Sequence, residues 1–362
     1  MTEKCHIKPE LPERAINWKF VKREELIDSL TSGLTEDEKG KLKYKFPLYF
    51  SDYRDNLYFR DLSEIARKAF NAGSGHELKL REDSSPAKAS ALHSSSMLAC
   101  NFFDWINWSE GYEICIEGHR YSKAYFEVKI PTLAKPKPTY ANMDVMLVSK
   151  DGKRIAFIES KFTEYLSCAA SELYGQRFAS AYAKKERYYQ ECCAKKWETV
   201  VNNWKGYAQN GKVRNEAMRG YYNGIKQNIC HLIAIGNLES SQAAREDFAM
   251  KNKKTFGAFD ISGIEDFDFI NLVYEPNEGK YSKEYMLCGQ FKKLCRKFFG
   301  DVQKIIKTVP KFCTYSELWN DKDNSLMMSS VECVSSDETL KKFLERRYMQ
   351  FSSAKVYGIE WV

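Results

Sequence analysis

Asp144, Glu159 and Lys161 are the residues of this sequence whose types and spacing best suit chemistry. Glu159 and Lys161 stand two apart in the run 153–162 (KRIAFIESKF). If that run is a strand, alternation puts both side chains on one face. Asp144 lies at the head of a second apolar run, 143–149 (MDVMLVS), and Asp151-Gly152 between the two is a strong hairpin-turn signal. Closing that turn brings Asp144 beside Glu159. Two carboxylates so placed suit a hard divalent cation, Mg²⁺ or Mn²⁺, and the Ser160 carbonyl between Glu159 and Lys161 could add a third oxygen. Such an ion activates water and stabilises charge on a phosphate, and a lysine beside it orients or deprotonates that water or steadies the charge. Glu-x-Lys also describes solvated strand-end charges. The difference here is that Glu159 directly follows Ile155–Ile158 and Asp144 directly precedes another apolar run, and charges at the ends of buried strands are poor surface decoration.

Other residues could join them. Glu127 lies in a third strand-like run, 123–130 (KAYFEVKI), where it could reach the cation or hold Lys161, or stand as an exposed strand acid. Glu77 could be delivered from a helical side, and Glu164 could support the site or belong to a loop. Gln227 falls on a helix expected before a further strand, as a polar helper or as a helix cap. His231 precedes an apolar run and reads as a core histidine, while His93 with Ser94–Ser96 reads as a helix start. The basic stretches 183–196 and 292–297 read first as solvated faces, with phosphate contact as the alternative.

The elements that must position these residues follow from periodicity and punctuation. The first ninety residues read as helices and loops, with Asp61 and Glu64 as a capping box and Gly73 ending that helix. Ser94–Trp108 predicts a helix, since Leu98, Phe102, Trp105 and Ile106 form one apolar stripe. The runs 123–130, 143–149 and 153–162 predict an antiparallel meander, with a loop marked by Pro131, Pro136 and Pro138. A polar helical section, 164–229, should lead into a buried strand at 230–236 (CHLIAIG), then another at 268–274, then mostly helix.

Composition bounds the reading. The chain has 362 residues, 43% hydrophobic and 29% charged, which suits a protein with a substantial core. A net charge of +7 is compatible with a polyanionic partner without requiring one. Eleven scattered cysteines without a CxxC pair, and only five histidines, argue against a zinc site. Scattered thiols with no signal peptide suit a reducing cytoplasm, and no apolar run is long enough to span a bilayer.

The stretch 73–238 resembles the PD-(D/E)XK, restriction-endonuclease-like superfamily, in a branch of restriction endonucleases. The resemblance is carried by Gly73-Ser74-Gly75-His76-Glu77-Leu78, Pro86 with Lys88, His93-Ser94-Ser95-Ser96 with Asn101-Phe102, and Phe126-Glu127-Val128-Lys129 with Pro131-Thr132. It continues in Asn142-Met143-Asp144 and Ile158-Glu159-Ser160-Lys161-Phe162-Thr163-Glu164, although Met143 stands where the motif's name has proline. The resemblance implies an α/β fold with a mixed central sheet flanked by helices. That core would span 91–276 with a helical insertion at about 164–229, between helical extensions at 1–90 and 277–362. It further implies a Mg²⁺-dependent nuclease acting on DNA, as a restriction-type enzyme, with a repair nuclease or an inactive DNA-binding module as alternatives. Asp144, Glu159, Lys161, Glu127 and Gln227 would then serve catalysis, and Asp144, Glu159 and Ser160 the metal. Members of this kind often pair into homodimers, so that two sites meet two strands.

Overall fold

The meander forms with its first two strands longer than their apolar runs suggest. In a computed structural model that describes residues 31–43, 46–73, 76–79, 86–133, 139–162, 197, 199–200, 217–257, 259–275, 282–334 and 336–348, it is half of a six-stranded sheet. Glu164 and the stretch 183–196 lie outside those residues.

In chain order the elements are a helix Glu36–Gly40 (α1), a small hairpin Leu42–Lys43 and Phe46–Phe50 (β1, β2), and helices Glu64–Ala72 (α2) and Ser95–Phe103 (α3). The sheet then begins with Ile114–Ile116 (β3), His119–Leu133 (β4), Thr139–Ser149 (β5) and Arg154–Lys161 (β6). Helices Ala217–Ser240 (α4) and Gln242–Phe256 (α5) precede Asp266–Val273 (β7). Helix Ser282–Val302 (α6) leads to Pro310–Thr314 (β8), and helices Tyr315–Asn320 (α7), Lys322–Ser330 (α8) and Leu340–Arg347 (α9) follow.

The sheet order is β3-β4-β5-β6-β7-β8. Pairing is antiparallel from β3 to β6 and parallel from β6 to β8. The change of sense has a chain-length reason. Two residues suffice to turn an antiparallel hairpin, and Gly152 at φ 70 supplies the left-handed conformation at the β5–β6 turn. A parallel pair needs a long crossover, and α4 with α5 supplies it between β6 and β7, as α6 does between β7 and β8. The result is a mixed sheet flanked by helices, so β6 and β7 are buried along nearly their whole length.

Five local expectations change. The run 230–236 is the interior of α4, not a strand. Leu232, Ile233, Ala234 and Ile235 are all fully buried, and a helix apolar on every side over a few residues cannot be told from a buried strand by periodicity. The N-terminal region contains the β1–β2 hairpin as well as helices. The helix expected to open at Asp61 opens at Ser63, whose hydroxyl accepts from the Ala66 amide while Asp61 accepts from the Leu62 amide. Pro131 lies within β4, paired with Tyr140, and the C-terminal region adds β8. One apolar core unites residues from Leu57 to Tyr348, so the segments either side of the meander share its packing.

Candidate active site

The β-sheet register alone lines up the acids. Phe126 pairs with Val145 and Val128 with Met143, which sets Glu127 of β4 opposite Asp144 of β5. Val145 pairs with Ile158, so the next step of that register sets Asp144 opposite Glu159 of β6. Glu159 pairs in turn with Asn271 of β7. Four neighbouring strands therefore carry Glu127, Asp144, Glu159 and Asn271 in one row. Sheet neighbours share a face, so Asp144, Glu159 and Asn271 fall on the same side as α4.

Each side chain is fixed differently. Asp144 is half-buried, and its Oδ2 accepts a hydrogen bond from the Ser160 amide at 2.7 Å, at the point where the β5–β6 ladder runs out. Glu159 is 2% exposed, and its Oε1 accepts from the Lys161 ammonium, itself buried. Ser160 faces the other way, where its hydroxyl meets Tyr315 Oη at 2.6 Å. That contact ties the Glu159–Lys161 peptide to α7, and Tyr315 is in turn packed edge-on against Phe102 of α3. Glu127 is half-buried with φ 50, a left-handed conformation that costs a non-glycine residue about 1–2 kcal/mol. Its carboxylate reaches the end of α2, where a β-carbon added to Gly73 would sit 3.5 Å from Glu127 Oε2. Glu77, bonded to Lys88 at 3.1 Å, lies close enough for its charge to act on Glu127.

The electrostatics follow from burying like charges together. Burial, and then the charge of Glu159, holds the Asp144 carboxyl well above the usual carboxylate range. Burial, and then the charges of Glu77 and Glu159, pushes Glu127 up to about 7. Glu127, Asp144 and Glu159 bring three carboxyls together beside the Lys161 ammonium, with Lys88 and Lys129 also acting on Glu127, and a divalent cation would lower the repulsion among the acids. Carboxylate oxygens are the donors such a hard ion prefers, and buried Glu159 Oε2 has no hydrogen-bond partner among the described residues. The residues present therefore fit the ion. Among the described residues, no three His, Cys, Asp or Glu side chains stand together closely enough to hold a metal ion, so the fit rests on the orphaned Glu159 Oε2 and the Asp144 oxygen beside it.

No family model matches the chain, and neither a curated protein nor a solved structure does. The site therefore rests on its own geometry.

The structure places the remaining sequence candidates unevenly. Gln227 is exposed on α4, and no contact between it and the acids is seen among the described residues. One helical turn later, His231 meets one: its Nδ1 stands 3.3 Å from Glu159 Oε2, and its Nε2 is 2.9 Å from the Asn142 carbonyl. Burial pushes the His231 imidazole below its ordinary value. His231 is buried, as a core histidine should be, and packs beside the Phe269 ring, but its Nδ1 faces an acid. Reading 230–236 as a strand hid this. Continued as helix, 227 and 231 lie four apart on one face, and of the two it is His231, one turn further along, that is buried. Asn271 and Tyr315 carried no sequence signal at all, because only register and tertiary contact bring them to Glu159 and Ser160.

Proposed function

We propose that this chain is a divalent-cation-dependent nuclease that hydrolyses DNA phosphodiester bonds, a restriction-type endonuclease on a restriction-endonuclease-like core. The observation that carries the reading is the row of Glu127, Asp144 and Glu159 with Lys161 beside it, three carboxyls brought together at the end of a strand pair. Such a cluster costs stability unless a cation or substrate chemistry needs it. The antiparallel-then-parallel sheet, with acids on its central strands, supports the same reading.

Asp144, Glu159 and the Ser160 carbonyl would hold Mg²⁺ or Mn²⁺. When bound, the ion supplies electrostatic stabilisation of the phosphate and lowers the pKa of water. The chain's own groups do the rest. Asp144 stays fixed by the Ser160 amide, so its second oxygen is presented without rotameric freedom. Lys161 holds Glu159 Oε1 in place and keeps a positive charge beside the acids, where it can donate to a phosphate oxygen or to the attacking water. Glu127, with a carboxyl that exchanges its proton near neutral pH, can take up or release a proton at its carboxylate during turnover.

The deciding experiment incubates the purified chain with supercoiled plasmid and with genomic DNA, in Mg²⁺, Mn²⁺ or EDTA. The expected result is nicking or linearisation in either ion, none in EDTA, and none from Glu159→Gln in any condition. DNA binding without cleavage by the unmutated chain, on substrates of many sequences and modifications, would instead leave an inactive binding module on this fold.

A further inference from the structure

Two buried polar atoms face one another across the sheet and α4. Glu159 Oε2 and His231 Nδ1 are 3.3 Å apart, and neither makes a hydrogen bond among the described residues. Glu159 is 2% exposed and His231 4%. Buried polar atoms without a partner are rare and costly, so the pair calls for a reason.

The tautomer of His231 narrows the choices. Its Nε2 lies 2.9 Å from the Asn142 carbonyl oxygen, which can only accept, so Nε2 carries a proton. Nδ1 is then the ring nitrogen that faces Glu159 Oε2, while the other oxygen of that carboxylate already accepts from Lys161. A cation held between Nδ1 and Oε2 would give both atoms a partner. The separation suits it: two neighbouring donors on an octahedral ion with ~2.1 Å bonds stand about 3.0 Å apart, and two on a tetrahedral ion about 3.4 Å. The Asn142 carbonyl completes the arrangement typical of metal-binding histidines, whose far ring nitrogen donates to a carbonyl or carboxylate that fixes the ring.

We infer that His231 Nδ1 is a nitrogen ligand to the divalent cation of the acidic site, bridging through the ion to Glu159 Oε2. This rests on the proposed cation dependence and adds to it a fourth protein donor of a different chemical kind. Oxygen-only sites suit Mg²⁺, whereas an imidazole adds affinity for transition-metal ions. The site should accordingly favour Mn²⁺ over Mg²⁺, with selectivity built by α4 rather than by the strands.

The test uses the full chain with Mn²⁺ alone as the probe, read by pulsed electron paramagnetic resonance. A directly bound imidazole couples its nitrogen to the Mn²⁺ electrons, and histidine-selective ¹⁵N labelling of the unmutated chain replaces that signature with the ¹⁵N one. Calorimetric titration of Mn²⁺ and Mg²⁺ into the unmutated chain and His231→Gln gives the second reading. The expected outcome is a histidine nitrogen coupling in the unmutated chain, and a Mn²⁺-to-Mg²⁺ affinity ratio that falls by about tenfold or more in His231→Gln. Mn²⁺ that binds with no histidine nitrogen coupling overturns the inference and leaves the acidic cation site standing. A chain that binds neither ion overturns both. The labelled, unmutated chain keeps the answer clear even if His231→Gln folds poorly.

Discussion

Lys161 donates its hydrogen bond to Glu159 Oε1, and both partners are buried. A pair of this kind fixes geometry more than it stabilises, because each charge has left water to form it. Removing one partner leaves the other buried and uncompensated. That asymmetry makes the two members of the site separable by mutation.

Lys161→Ala and Asp144→Asn should both lower cleavage by about a hundredfold or more, yet move cation binding in opposite directions. Asp144→Asn keeps the shape and removes a charged oxygen donor, so Mg²⁺ affinity falls. Lys161→Ala removes a positive charge beside the acids, so Mg²⁺ affinity holds or rises. In EDTA, Lys161→Ala should lose roughly 3 kcal/mol of stability, most of it restored by the divalent ion. Calorimetric Mg²⁺ titration and thermal melts of the three proteins, alongside a plasmid assay, measure all of this. Cleavage by Lys161→Ala at the unmutated rate would return these residues to the status of strand-end charges.

The Glu127 carboxyl titrates at about 7 in the folded chain, against an ordinary 4.5. Between those values the folded chain holds a proton that the unfolded chain has released, so stability is fullest below the lower value and is lost as pH rises through the upper one. In EDTA, melting temperature should therefore fall between about pH 5 and pH 8, and fall less for Glu127→Gln by a few degrees. Asp104, also raised by burial, acts with the same sign in both proteins, while Asp144 is itself raised in part by the Glu127 charge, so the difference between the two curves reports Glu127 together with its effect on Asp144. Parallel curves for the two proteins would mean that Glu127 does not carry the shift.

DNA binding should weaken steeply with salt, because lysines and arginines that neutralise phosphates release condensed counterions. The chain carries 56 such residues against 49 acids, so phosphate contact has an ample supply. A gel-shift or anisotropy series should show affinity dropping at least tenfold between about 50 and 200 mM monovalent salt. A flat response would remove phosphate contact as the main attachment.

Gly224→Ala tests the packing of α4 independently of any function. A β-carbon there would stand 2.6 Å from Phe291 Cζ, and Phe291 of α6 is fully buried, so the ring must shift within the core. Alanine gains about 1 kcal/mol in helix propensity, but overpacking a filled core costs ~1–3 kcal/mol. A net loss of about 1 kcal/mol in urea unfolding is expected, and a gain would show that α6 yields where the structure has it closely fitted.

What the sequence determined by itself is local and periodic. The β-branched and aromatic runs, the Asp151-Gly152 turn and the placement of Asp144 and Glu159 at the ends of apolar runs are written in nearest-neighbour chemistry, so the hairpin and its acids were legible. Ser94 and Gly73 mark helix ends that the structure uses. What only the tertiary structure decided is where long-range pairing and burial win. Residues 230–236 are apolar enough for strand or helix, and the structure makes them helix, packed against β4, β5 and β7 on the way from β6 to β7. That packing sets His231 against Glu159 and leaves Gln227 exposed. Asn271 reached the row through parallel register across a crossover of more than a hundred residues, a distance at which no periodicity in the chain can specify a partner.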